Sequence, residues 1–453
     1  MATGMIDSRE FPRRRRQLMR MMGHGAIAVI AAAPVRLRNR DVDYPYRQDS
    51  DFFYLTGFPE PDAVAVLVPG RPQGEFILFC RERNPDREVW DGPRAGQEGA
   101  VAQYGADDSF PIDDLDDILP GLLDGRERVF HIMGRYESFD HRLMGWVKHI
   151  RKDEPNGARA PEEFVSLEHA LHDMRLFKSR SELSVMRKAA KLSARAHKRA
   201  MRACRPEMME YEIEAELLHE FRAGNATPAY QSIVGSGPNA CILHYVSNQR
   251  RMMDGDLLLI DAGAELDCYA SDVTRTMPVN GRFSPEQRAV YDIVLRAQLA
   301  AIEAVRPGND WNTPHELAVK IITEGLVELG ILKGDPVRLV EREAYKRFFM
   351  HRTGHWIGMD VHDVGDYKVD GRWRELEPGM VMTVEPGIYI PPDARGVARK
   401  WHGIGVRIED DVAVTRKGPR VLSDGAPKTV AEIERLMAGT EGRRRRPAAS
   451  GAA

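Results

Sequence analysis

The chain has 453 residues, enough for two or three domains, and its formal net charge of -3 arises from 65 basic against 68 acidic residues. That balance excludes the one-sided basic excess of a nucleic-acid binder. Apolar residues at 43% and charged residues at 29% describe a globular chain and exclude a disordered or membrane-embedded one. Cys80, Cys204, Cys241 and Cys268 form no C-x-x-C pair, which fits a reducing, cytoplasmic compartment with the thiols as small buried hydrophobes. No apolar run reaches the length of a membrane span.

In chain order, residues 11–22 read as a helix and residues 26–32, 63–68 and 76–80 as strands, which predicts an α/β domain over residues 1–175. The basic run 13–16 followed by the apolar stretch 26–33 imitates a secretory signal. Its apolar part is short, however, and Arg20 and His24 interrupt the pattern, so the stretch reads better as a first strand. The polar residues 152–157 are the candidate inter-domain linker.

A second domain is expected over residues 176–440, with a disordered basic tail over 441–453 that contains Arg443 and Arg446. Ser179 and Glu182 form a capping box opening a helix to about Cys204, and another helix follows at about 209–223. Ser284, Pro285 and Gln287 open a helix whose buried stripe is Val290, Val294, Ala297, Ala301 and Val305. Thr313, Pro314 and Glu316 repeat the device for a helix stopping near Gly330. Strands follow each helix pair, at 231–278 and at 348–415, so a helix-helix-sheet unit is used twice.

The chemistry concentrates in the strand regions. Asp261 ends an apolar run and Asp272 lies eleven residues later, so a hairpin turning near Leu266 and Asp267 sets two carboxylates side by side. Buried together they resist ionising unless a cation intervenes. The competing reading has one aspartate capping a turn and the other pairing with Arg275. Glu385 interrupts an apolar strand, and Arg407 and Glu409 share one strand face, where charged groups need partners or a metal. Asp410 and Asp411 read as solvated edge charges. His351, His355 and His362 fall within twelve residues, out of 14 histidines in the chain, beside Gly354 and Gly358. Four carboxylates with one imidazole suit hard or borderline divalent ions, manganese first, with cobalt and zinc also compatible. Four negative charges match two divalent cations with a bridging hydroxide as the nucleophile.

These motifs resemble the pita-bread metallopeptidases, and among them the Xaa-Pro aminopeptidase branch, from about residue 10 to about residue 438. The segments 44–54, 56–58 and 233–245 carry the resemblance together with the acids and histidines above. It implies an α+β chain: a pita-bread catalytic domain of two pseudo-symmetric helix-helix-sheet halves, preceded by a smaller α/β N-terminal domain. It further implies that Asp261 binds one metal, that His355 and Glu385 bind the other, and that Asp272 and Glu409 bridge them.

By the same resemblance Glu385 orients or deprotonates the attacking water, and His244 and His362 flank the reacting carbonyl. His351, Arg407 and Tyr389 would shape the proline pocket. Trp90 would reach a neighbouring subunit's site in a homodimer or homotetramer, unless it is an ordinary core aromatic. The implied substrates are peptides with proline at position two, with no nucleic-acid or membrane partner. Their Xaa-Pro bond is a tertiary amide without an N–H, so peptidases that recognise the extended backbone lose a contact there.

Two rival readings keep the fold. A prolidase would use the same metals on dipeptides alone. A non-catalytic binding protein would need no metal, which the intact ligand set argues against, as it does against the metal-free creatinase branch. A methionine aminopeptidase would need no N-terminal domain of this size.

Overall fold

The computed structural model describes residues 6–444. The chain divides after Met174 into two compact units. Among the described residues no helix is long and apolar enough to cross a membrane.

The first unit is built on a six-stranded mixed sheet. Its strands are β1 (Ala26–Ala31), β2 (Val64–Leu67), β3 (Phe76–Cys80), β4 (Asp108–Pro111), β5 (Arg128–His131) and β6 (Glu163–Ser166), in the order β4-β3-β2-β1-β5-β6. The central strand β1 is parallel to β5 and antiparallel to β2. Its unbroken apolar run fits a strand covered on both faces. Helix α1 (Glu10–Met22) carries the basic run, and it is no loose charge cluster. Arg14 and Arg15 are buried and donate to the carbonyls of Tyr54 and Leu55 at 3.0 and 2.9 Å, at the C-terminal end of the helix Ser50–Thr56. Cations at such an end satisfy orphan carbonyls and oppose the helix dipole.

The polar stretch 152–157 is not a linker between units. It joins α2 (Glu137–Lys152) to β6, which pairs in parallel with β5 inside the first unit. Of the four free thiols only Cys80 is fully buried, so three of them are less enclosed than the composition led us to expect.

The second unit shows the helix-helix-sheet order twice. Helices α3 (Arg180–Ala203) and α4 (Glu210–Ala223) precede strands β7 (Ile233–Ser236), β8 (Leu257–Asp261), β9 (Ala264–Leu266), β10 (Tyr269–Ala270) and β11 (Thr274–Pro278). Helices α5 (Pro285–Ala304) and α6 (Thr313–Glu328) precede β12 (Val381–Val384), β13 (Gly387–Ile390), β14 (Ile404–Arg407), β15 (Asp410–Thr415) and β16 (Gly418–Val421). A last helix, α7 (Val430–Arg444), includes the first residues of the expected tail. Residues 445–453 of that tail lie outside the described residues.

Both capping boxes form, at Ser179 with Glu182 and at Ser284 with Gln287. The stripe of α5 is buried throughout. The third device differs. Thr313 is the first helical residue, and Asp310 does the capping by accepting the Asn312 and Thr313 backbone N–H groups at 2.9 Å each.

The two halves meet along a polar seam. Thr276 and Arg407 exchange hydrogen bonds, Oγ1 donating to the Arg407 carbonyl at 2.9 Å and accepting its N–H at 3.2 Å. One step on, the Glu409 N–H donates to the Thr274 carbonyl at 3.1 Å. Asp410 and Asp411 are not solvated edge charges, since both are buried on this seam. Asp410 pairs with Arg275 at 2.8 Å and Lys428 at 2.7 Å, and also accepts from Gln298 and Ser423. Asp411 accepts the backbone N–H of Asp272 at 3.2 Å. Arg275 therefore serves Asp410, not either aspartate of the hairpin.

Removing one member of a buried pair strands the other charge, at a cost of about 3–5 kcal/mol. Asp410→Ala is expected to lose stability of that order in urea unfolding. A loss below about 1 kcal/mol would mean that the carbonyls around Arg275 suffice without the carboxylate.

Candidate metal centre

Asp261 is the last residue of β8, and Asp272 returns beside it after the β9–β10 hairpin. The hairpin turns at Asp267 and Cys268, whose φ angles of 53° and 62° are the left-handed pair of a tight two-residue turn. Gly263 makes the return possible, because a Cβ there would lie 1.7 Å from the Ser271 carbonyl oxygen. The Tyr230 hydroxyl then donates to both carboxylates, at 2.6 Å to Asp261 and more closely still to Asp272.

The second half delivers its donors by a comparable close approach. A Cβ at Gly354 would lie 2.0 Å from the Thr383 carbonyl, so the loop can press against β12. There the Thr383 N–H donates to the His355 carbonyl at 2.9 Å and the Glu385 N–H to the Thr353 carbonyl at 2.8 Å. His355 Nδ1 bonds the Trp356 carbonyl at 2.9 Å, which directs Nε2 toward Asp272 at 3.5 Å and Glu385 at 3.8 Å. Glu409 sits between β14 and β15 and accepts from the Thr274 hydroxyl at 2.6 Å.

One donor atom from each of Asp272, His355 and Glu409 falls within 4.8 Å of the others. Asp261 and Glu385 line the same cavity of about 590 Å³. Oxygen-rich donors with one imidazole, converging from two halves, fit a divalent cation.

The charges show strain that a cation would relieve. Burial, then the neighbouring Asp272, push the Asp261 carboxyl up to about 6 despite its 2.6 Å pair with Arg407. Burial likewise pushes Glu385 up to about 7, against the pull of His355 and Arg407. Glu409 is driven far above the carboxylate range by burial and three neighbouring acids. Asp272 alone falls: burial raises it, but the contacts of His355, Tyr230 and Asp261 together more than offset that. His355 in turn rises to about 9, its burial overcome by Asp272 and Glu385. The His355 proton and the Arg407 guanidinium place positive charge among these acids.

The other expected residues divide. His244, His351, His362 and Arg407 line the cavity. Tyr389 is buried beside it and accepts from Arg407 at 3.0 Å, and its hydroxyl lies 2.9 Å from His351 Nε2. The His355 and His362 rings are 4.3 Å apart, and burial followed by the His355 charge lowers the His362 pKa. Trp90 is not a core aromatic, being 84% exposed on the helix Pro85–Asp91 of the first unit. Tyr230, Trp311, Arg352, Tyr367 and Trp373 were not anticipated as site residues. Tyr230 stands outside every quoted motif, and the aromatics come from the loop before α6, which holds Trp311, and from a short hairpin that holds Trp373 with Tyr367 beside it, segments that pattern alone does not bring together.

Residues 184–416 match the model of metallopeptidase family M24, and residues 11–131 match that of the aminopeptidase P N-terminal domain. The chain belongs to the M24 metallopeptidases, with the two-domain aminopeptidase P architecture of an N-terminal domain and a pita-bread domain. More particularly, it is 46% identical over 434 residues to the Xaa-Pro aminopeptidase of Escherichia coli (strain K12), covering 95% of this chain and 98% of that protein. Its fold matches the structure of the Pseudomonas aeruginosa aminopeptidase PepP with a TM-score of 0.96 and 62% identity, covering 96% of this chain and 99% of that one. It also matches aminopeptidase P from E. coli with the inhibitor Pro-Leu, at a TM-score of 0.94 and 45% identity over 96% and 99% of the two chains.

Metal ligands must be deprotonated, so a cation entering this site displaces protons. His355 carries its proton below about 9, and Glu385 and Asp261 take theirs up below about 7 and about 6. Metal affinity should therefore fall as pH drops from 9 to 6. Calorimetry at pH 7 in buffers of different ionisation enthalpy should show at least one proton released per chain, and buffer-independent heats would contradict this.

Proposed function

We propose that this chain is a metal-dependent exopeptidase that removes the first residue from peptides with proline in second place. The observation that carries the reading is the convergence of Asp272, His355 and Glu409 within 4.8 Å, in an M24 chain whose Xaa-Pro aminopeptidase relative matches almost end to end.

Asp261, Asp272, His355, Glu385 and Glu409 would hold two divalent ions per chain, manganese first, a number and identity that four carboxylates and one imidazole support. When bound, such ions polarise the scissile carbonyl and lower the pKa of the attacking water. The chain's own groups do the rest. Glu385, which lines the cavity beside His355, is placed to accept the proton of that water. His244 and His362 face the cavity where the carbonyl oxygen gains charge. His351 and Arg407 line a wall suited to the proline ring, which has no N–H to satisfy, and the buried Tyr389 hydroxyl ties the two together from behind.

The same reading places the enzyme in the cytoplasm as a homodimer or homotetramer. Val89 and Trp90, 83% and 84% exposed side by side, support an interface there.

Chelation should abolish release of the first residue from a Xaa-Pro-Xaa tripeptide, and readded manganese should restore it best among single divalent ions. Turnover of Xaa-Pro dipeptides alone would favour a prolidase, and undiminished activity after chelation would overturn the metal assignment. Trp90→Ala is expected to lower activity and shift sedimentation toward the monomer while metal content stays unchanged; an active, unchanged oligomer would remove Trp90 from the interface.

A further inference from the structure

Two arginines line the cavity, Arg407 and Arg352. Arg407 is committed, donating to Asp261 at 2.6 Å and to Tyr389 at 3.0 Å. Arg352 is differently placed. Its guanidinium donates to the side-chain oxygen of Asn312, whose amide donates to Glu316 at 2.6 Å. Among the described residues no carboxylate forms an ion pair with Arg352 itself.

The guanidinium rests instead on two indoles, 5.0 Å from the ring centroids of both Trp311 and Trp373. Those rings lie 5.5 Å apart, and Trp311 packs on Tyr367 at 4.5 Å. Tyr367 stacks on Trp356 at 5.6 Å with an interplanar angle of 6°, and Trp356 directly follows His355. The aromatic wall is thus continuous with the loop that carries His355. An arginine stacked on aromatic faces is preorganised, and its planar fork matches a carboxylate in two-point contact.

Position suggests which carboxylate. His351, the residue before Arg352, belongs to the wall assigned above to the proline ring. Arg352 lines the same cavity one residue on from His351, and an extended peptide advances about 3.3–3.6 Å per residue. A guanidinium adjoining the proline wall is therefore within reach of the third residue of the substrate. In a tripeptide that residue ends in a carboxylate, while the ammonium end of the peptide faces the cluster of acids.

We propose that Arg352, held on Trp311 and Trp373, binds the C-terminal carboxylate of tripeptide substrates and so selects short free peptides. The inference rests on the Xaa-Pro reading above and adds the length and charge of the preferred substrate. A dipeptide's carboxylate falls one residue short of Arg352, and an amidated or longer chain leaves the guanidinium without its partner.

The test uses the full-length, metal-loaded enzyme on three peptides: Xaa-Pro-Ala as free acid, Xaa-Pro-Ala amide and Xaa-Pro-Glu amide. Wild-type kcat/KM should favour the free acid over its amide by about tenfold or more, the size of one charge-assisted contact, with the difference in KM. Arg352→Met should bring that ratio close to one, and Arg352→Lys should restore part of it. Unchanged thermal unfolding and tryptophan emission would show that the aromatic wall survives the substitution. A wild-type ratio near one, or equal losses on acid and amide in Arg352→Met, would overturn the proposal. So would a Xaa-Pro-Glu amide cleaved as well as the free acid, which would make Arg352 a reader of acidic side chains. Failure of the underlying reading looks different: none of the three peptides would be cleaved.

Discussion

The second unit is organised around an electrostatic cost: four carboxylates and an imidazole share one largely buried seam. Burial alone disfavours each charge, and mutual repulsion adds to it, which is why Asp261, Glu385 and Glu409 all rise above the ordinary carboxylate range. The fold supports the arrangement with a limited set of neutralising contacts. Arg407 pairs with Asp261, the His355 proton serves Asp272 and Glu385, and Tyr230 donates to both hairpin aspartates. Each contact is less than a divalent cation would give, so the site is built to be completed. Perturbed groups concentrated in a cavity point to a functional centre.

What makes that cost bearable is the construction on either side. The seam is sewn by the Thr276–Arg407 and Thr274–Glu409 hydrogen bonds and closed beneath by Arg275 with Asp410. Unlike the acids above them, Asp410 and Arg275 are matched, and Asp410 sits near 2 because Arg275 and Lys428 outweigh its burial. Two adjacent acids thus have opposite characters, Glu409 open to the cavity and Asp410 satisfied in the core. Gly263 and Gly354 let two backbones cross at distances no side chain would allow, and each crossing sets a proposed ligand.

Much of this was legible in the sequence because it follows from short-range rules. The capping boxes at Ser179 and Ser284, the buried stripe of α5 and the turn at Asp267 depend on neighbours within a few residues. That turn, one residue later than the spacing suggested, sets Asp261 opposite Thr274, so Asp272 reaches Asp261 as a near neighbour joined through Tyr230 and not as its cross-strand partner. Long-range partners were not legible. Asp410 and Asp411 look like surface charges until Arg275, Lys428 and the Asp272 backbone arrive from elsewhere in the chain. Residues 152–157 look like a linker because nothing local reveals that β6 returns to the sheet of the first unit. Tyr230 and the wall of Trp311, Tyr367 and Trp373 were missed for the same reason.

The central claim is that five side chains from two halves enclose metal in this cavity. It is tested most directly by anomalous X-ray scattering from crystals grown with manganese and measured near its absorption edge. The account predicts two strong peaks in the cavity, bounded by Asp261, Asp272, His355, Glu385 and Glu409. A cavity without anomalous signal, or ions bound only elsewhere on the surface, would contradict it.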